Sequence, residues 1–193
     1  CDFVDVPLLN DQLHYSLDFE GIERAYQGGA RIHFLCNPHN PIGTVFSKSD
    51  LSNLADLAYK YGVSIFSDEV HGPLVYAETL FTPFLSVSDI AREVGICTTA
   101  ASKTWNLAGL KSATIVVASE KWRAKAELMP EAVHYRASLF GAVAAACAYE
   151  CIEWLDGLLI TLDRNRKFLR DKLAEKLPSV KYRVPDTTYL AWF

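Results

Sequence analysis

The sequence predicts an α/β fold: a mostly parallel sheet held between helices as a three-layer α/β/α sandwich, followed by the start of a smaller α+β unit. Three observations predict it. Short apolar runs alternate with longer helical patterns along most of the chain, the signature of repeated β and α units. The apolar runs lack a polar face, as strands covered on both sides do. A long helical stretch then stops at Pro178, and two more strand-like runs follow it.

The elements follow in order. Phe3 to Leu8 reads as a strand or its end. Asp18 to Gln27 reads as a helix closed by Gly28-Gly29. Arg31 to Cys36 is a short strand. Ser47 opens a helix through Tyr61, with Asp50 three residues on as a near capping box and Gly62 as its stop. Val63 to Ser67, Ile96 to Ala100 and Ala113 to Ala118 are further strands. Ser119 caps a helix over Lys121 to Leu128. Ser138 to Leu177 is helical, with a break expected near Asp156-Gly157. Val180 to Val184 and Thr188 to Phe193 read as the last two strands.

Composition excludes several classes. Half of the 193 residues are hydrophobic, enough for a packed core. The net charge of −4 and the lack of a basic run argue against nucleic acid as a partner. No apolar run is long enough for a membrane span. The opening Cys1-Asp2-Phe3-Val4-Asp5 has no secretory leader pattern, and a cytoplasmic location is the expectation. The five cysteines, Cys1, Cys36, Cys97, Cys147 and Cys151, are odd in number and irregular in spacing. They predict reduced thiols rather than disulfides. Cys147 and Cys151, one helical turn apart, are expected to be buried apolar thiols; no metal set is expected.

Three clusters carry chemistry. Asn37-Pro38-His39-Asn40-Pro41-Ile42-Gly43 follows the strand ending at Cys36. Asp68-Glu69-Val70-His71 follows the strand ending at Ser67. Ser102-Lys103-Thr104, with Asn106-Leu107-Ala108-Gly109-Leu110-Lys111, follows the strand near Ile96 to Ala100. Open α/β sheets bind ligands at the C-terminal ends of their strands. If the strands are adjacent, an amide, a carboxylate and an amine meet there. Pyridoxal phosphate requires such groups: an amine that bonds its aldehyde, a carboxylate against the pyridine nitrogen, and a donor at the ring hydroxyl. Ser102 and Lys111 suit its phosphate, one as donor and one as charge. Each residue also has a plain reading. The Asn-Pro pairs fit turns, Asp68 fits a cap, His71 fits a core histidine, and Lys103 fits a solvated lysine. Only in conjunction do these residues point to the cofactor.

On these motifs the chain resembles a fold-type I pyridoxal-phosphate enzyme of the class I/II aminotransferase superfamily. Within it the chain is similar to C–S lyases of the cystathionine β-lyase, or MalY/PatB, type. The three clusters resemble the family's NPHNPxG, DE[VI]H and SKTxNLAGL signatures. The resemblance implies that Lys103 attaches the cofactor and moves the substrate Cα proton. It implies that Asp68 pairs with the pyridine nitrogen, Asn40 with the ring hydroxyl, and Ser102 and Lys111 with the phosphate. His71 stands where aminotransferases usually have a tyrosine, which favours the lyase branch. Ala100 stands where relatives often have a second phosphate-binding serine. The implied activity is C–S β-elimination from cystathionine or a related S-substituted cysteine, giving a thiol, pyruvate and ammonia. The alternatives are an aminotransferase of the same fold, or a lyase that is also a regulator. A homodimer sharing its active site is also implied, as is a division into a cofactor-binding domain (1–157) and the start of a small domain (158–193). The ring-stacking aromatic and the substrate-carboxylate arginine of the family fall outside the matched stretch.

Overall fold

The computed structural model describes residues 2–193, so Cys1 lies outside the described residues. The chain opens without regular structure, because Pro7 interrupts the donor series a strand would need. The strand expected at Phe3 to Leu8 is therefore absent. A hairpin of β1 (Leu9–Asp11) and β2 (His14–Ser16) comes instead. Helix α1 (Phe19–Gln27) starts at Asp18, whose Oδ1 accepts the Gly21 N–H at 3.0 Å. After β3 (Ile32–Cys36) comes α2 (Lys48–Tyr61), opened by the expected capping box between Ser47 and Asp50 and closed at Gly62, which takes φ +66°.

Next come β4 (Ser64–Asp68), α3 (Asp89–Val94), β5 (Gly95–Thr99) and β6 (Thr114–Val116). Helices α4 (Glu120–Glu127), α5 (Glu131–Tyr135), α6 (Leu139–Glu150) and α7 (Ile152–Lys176) complete the set. The helix break falls at Cys151, not at Asp156-Gly157. Gly157 runs inside α7, where it costs about 1 kcal/mol relative to alanine and does not end the helix. The expected domain boundary at 157/158 therefore lies within α7. Cys147 and Cys151 are exposed, contrary to the core thiols expected: the buried positions of α6 are Gly141 and Ala148. Among the described residues no cluster of ligating side chains could hold a metal ion.

The sheet runs β3-β4-β5-β6. The first three strands are parallel and β6 is antiparallel. Leu35, Ile65 and Cys97 face α1, α2 and α3, and Leu51 and Leu54 of α2 are fully buried there. Each such leucine contributes roughly 2 kcal/mol of burial. The opposite face leaves Ile32 and Phe34 exposed, with Phe34 and Phe66 side by side at 5.7 Å.

The C-terminal segment does not form the two strands expected over Val180 to Val184 and Thr188 to Phe193. Its backbone groups are spent on loops instead. Asp186 N–H donates to Gly43 O at 2.8 Å and Thr188 N–H to Leu74 O at 3.1 Å. Thr188 itself takes φ +71°, which no ladder accepts. Arg166 of α7 anchors the region. Its guanidinium lies 3.8 Å from the Tyr76 ring centre, pairs with Glu78 and Asp163, and donates to Pro185 O at 2.6 Å.

Candidate active site

The parallel register decides which side chains can meet. Cys36 pairs with Asp68, and Asp68 with Thr98, so three strand ends stop at one level. The level is held by two further bonds: Asn37 N–H to Asp68 O at 3.1 Å, and Glu69 N–H to Thr98 O at 2.9 Å. The adjacency that the sequence left conditional is present.

Beyond these ends lies a cleft of about 380 Å³, lined among others by Asp68, Thr99, Ser102, Lys103, Lys111 and Ser112. Asp68 is exposed at its floor, and its Oδ1 accepts the Val70 N–H at 3.1 Å. Lys103 is also exposed. It belongs to a turn that Trp105 N–H closes on Ala101 O at 2.9 Å. Lys111 follows a short 3-10 turn and takes φ +53°. A carboxylate, two amines and hydroxyls thus face one space, the donor set that a ring cofactor with an anionic tail requires.

Two predicted residues lie off the cleft lining. Asn40 is exposed beyond β3, and its N–H donates to Cys36 Sγ at 3.4 Å. Its neighbour Asn37 is wholly buried and serves the loop: its Oδ1 accepts the Phe46 N–H at 3.0 Å. His71 is 3% exposed, and among the described residues neither ring nitrogen has a hydrogen-bond partner. Burial lowers its pKa, the nearby Lys103 charge lowers it further, and Asp68 opposes them. Both charges thus act on the buried imidazole, in opposite directions. Trp105 packs edge-on against Tyr149, with ring centres 5.1 Å apart.

Some contributors escaped sequence reading. Thr99 and Ser112 line the cleft beside Ala100, which has no hydroxyl to offer. The signal for Thr99 was its place at the end of β5. Glu69 turns away from the cleft and is buried. Its Oε1 accepts from Phe84 N–H at 2.7 Å, Ser67 Oγ at 3.0 Å and Cys97 Sγ at 3.2 Å. Burial pushes its carboxyl pKa up, against the pull of those donors.

The family model described as aminotransferase class I and II matches residues 1–193. The chain belongs to the aminotransferase class I and II family. This family member is 41% identical to a cystathionine β-lyase of Corynebacterium glutamicum over 92% of its own length and 48% of that protein's. It is 35% identical to the cystathionine β-lyase PatB of Bacillus subtilis, over 96% of its own length and 49% of the relative's. The PLP-bound C–S lyase from Staphylococcus hominis superposes with a TM-score of 0.86 at 30% identity, covering 96% of this chain and 47% of that one. The chain thus spans about half the length of the relatives it matches. The α/β fold and the resemblance to C–S lyases agree with the sequence reading.

Proposed function

We propose that the protein is a pyridoxal 5′-phosphate-dependent C–S β-lyase that cleaves cystathionine or a related S-substituted cysteine to a thiol, pyruvate and ammonia. The observation that carries this reading is the convergence of Asp68 and Lys103 on one cleft at the ends of adjacent parallel strands. The similarity to cystathionine β-lyases supports the chemistry.

In this reading Lys103 would hold the cofactor through its amine, and its Nζ would carry the proton taken from the substrate Cα. Asp68 holds a proton on the pyridine nitrogen. The group supplies an electron sink when bound, and the Asp68 charge keeps that sink deep. Asn40 would hydrogen-bond the ring hydroxyl, and His71, beside Asp68 and Lys103, would contact the cofactor. Ser102 and Lys111 hold the phosphate, Lys111 as a point charge rather than a fork. Thr99 and Ser112 line the same cleft.

An aminotransferase of the same fold uses the same Asn40, Asp68 and Lys103, and the family match keeps it as the second reading. The two readings would share the removal of the Cα proton by Lys103 and differ in the product: a keto acid for amino transfer, a thiol with pyruvate and ammonia for elimination. A homodimer sharing its site, a cytoplasmic location, and domains at 1–157 and 158–193 belong to the same proposal. Among the described residues no helix is long and apolar enough to cross a membrane.

The test is reduction with borohydride after incubation with pyridoxal phosphate, followed by peptide mapping. The label is expected on Lys103 and absent in Lys103→Ala. Pyruvate release from cystathionine, with no need for a keto acid, is expected of the lyase. Label elsewhere, or turnover only with a keto acid, overturns the cofactor site or the lyase reading respectively.

A further inference from the structure

The segment after α7 braces both loops that flank the strand ends. Asp186 N–H donates to Gly43 O at 2.8 Å, in the loop that carries Asn40, and Asp186 O accepts the Tyr76 N–H at 3.2 Å. Thr188 N–H and Thr187 Oγ1 both donate to Leu74 O, at 3.1 and 3.0 Å. Tyr76 Oη closes the ring of bonds on Thr188 O at 2.6 Å. Arg183 Nη2 adds a bond to Thr44 Oγ1 at 3.0 Å. Thr187 and Thr188 are fully buried. The backbone from which residue 189 projects is therefore fixed from two sides.

From that backbone the Tyr189 ring meets the His71 ring edge-on, with centres 6.2 Å apart and planes at 67°. The two residues differ in exposure: His71 is 3% exposed and Tyr189 is 47% exposed. Tyr189 thus packs against the buried imidazole while remaining partly in water itself. An imidazole kept dry but unbonded retains its full hydrogen-bonding capacity for an incoming group. It also needs something to hold its plane, since no hydrogen bond among the described residues does so.

We infer that Tyr189 is a positioning residue for His71, holding the imidazole edge-on and shielded from water beside the Lys103 cleft. The consequence for function rests on the cofactor reading above; the contact itself does not. The charged and titratable groups acting on His71 are Asp68 from the end of β4, Lys103 from the turn after β5, and Tyr189 from the C-terminal segment. With Tyr189 truncated, water reaches the ring, the burial penalty on its charged form falls, and the Asp68 carboxylate acts in favour of protonation.

The experiment is an NMR titration of the histidine rings in cofactor-free protein, with the His71 resonance assigned by His71→Gln. Tyr189→Phe is expected to leave the His71 midpoint where it is in the wild type, because the ring remains. Tyr189→Ala is expected to move the midpoint up. Tyr189→Val, a milder truncation, is expected to move it the same way and serves if the alanine variant loses its near-ultraviolet dichroism. A His71 midpoint unchanged in a folded truncation variant overturns the inference. Borohydride labelling of Lys103 in the same variants separates the two claims. A shifted midpoint without any label sinks the cofactor reading alone. Label with an unshifted midpoint sinks the Tyr189 assignment alone.

Discussion

His33 gives the structure a sensitivity to mild acid whose size can be worked out. Its ring lies on β3, and its Nδ1 is 2.8 Å from the Oη of Tyr26, a buried residue of α1. Burial lowers the histidine pKa from 6.5 to about 4. The folded state therefore binds this proton far more weakly than the unfolded chain does. The unfolded chain takes up the proton first as pH falls, so stability drops from about pH 6.5 downward and the loss levels off below about pH 4. Integrating between pH 7 and pH 5 gives a loss of about 2 kcal/mol from this one group, near 1.4 kcal/mol per pH step where the slope is steepest. The assay is urea unfolding at several pH values, compared with His33→Asn, whose amide can keep the Tyr26 bond without titrating. The variant is expected to lose about 2 kcal/mol less than the wild type between pH 7 and pH 5. Parallel pH dependences in the two proteins would refute the argument, because other titrating groups are common to both.

Three further outcomes follow from the geometry. Gly43 has φ +66°, and a Cβ there would run into Pro185. Gly43→Ala should cost about 2 kcal/mol in urea unfolding and expose the segment after α7 to proteolysis. Glu69→Ala leaves the Phe84 N–H and the Ser67 and Cys97 side chains without their acceptor. It should cost about 3 kcal/mol, while Glu69→Gln, which keeps the accepting oxygen, should cost clearly less in the same assay. Lys111→Ala should weaken pyridoxal phosphate binding about tenfold, as loss of one charge-assisted contact does. Pyridoxal without the phosphate should bind wild type and variant alike in the same fluorescence titration.

Legibility followed the range of the interactions. Helix α2 was readable from end to end because its signals are local: Ser47 with Asp50 at one end and Gly62 at the other. The six-residue helix α3 left no periodic signature to read, and only its Ser88 cap marks it. The alternation in the last residues suggested strands, but hydrogen-bond partners supplied by Gly43 and Leu74 drew that backbone elsewhere. The site was legible as three motifs whose order matched a family. Their convergence depended on strand adjacency, which no local pattern encodes. The setting of His71 was illegible for the same reason: its neighbour Tyr189 arrives from the far end of the sequence. The motif singled out Asp68, which lines the cleft, but nothing in the run told that Glu69 is buried; the strand's pleat decides that.

The shared level of Cys36, Asp68 and Thr98 has a kinetic consequence. These positions are about thirty residues apart along the chain, and parallel pairing joins each to the next. Loop closure must precede every contact between them, and such non-local pairing is slow compared with helix formation. Helices can form on refolding while the cleft does not yet exist. Under the proposed function, recovery of cofactor binding at Lys103 should therefore lag behind the recovery of helical signal, and its rate should report the last stage of sheet assembly.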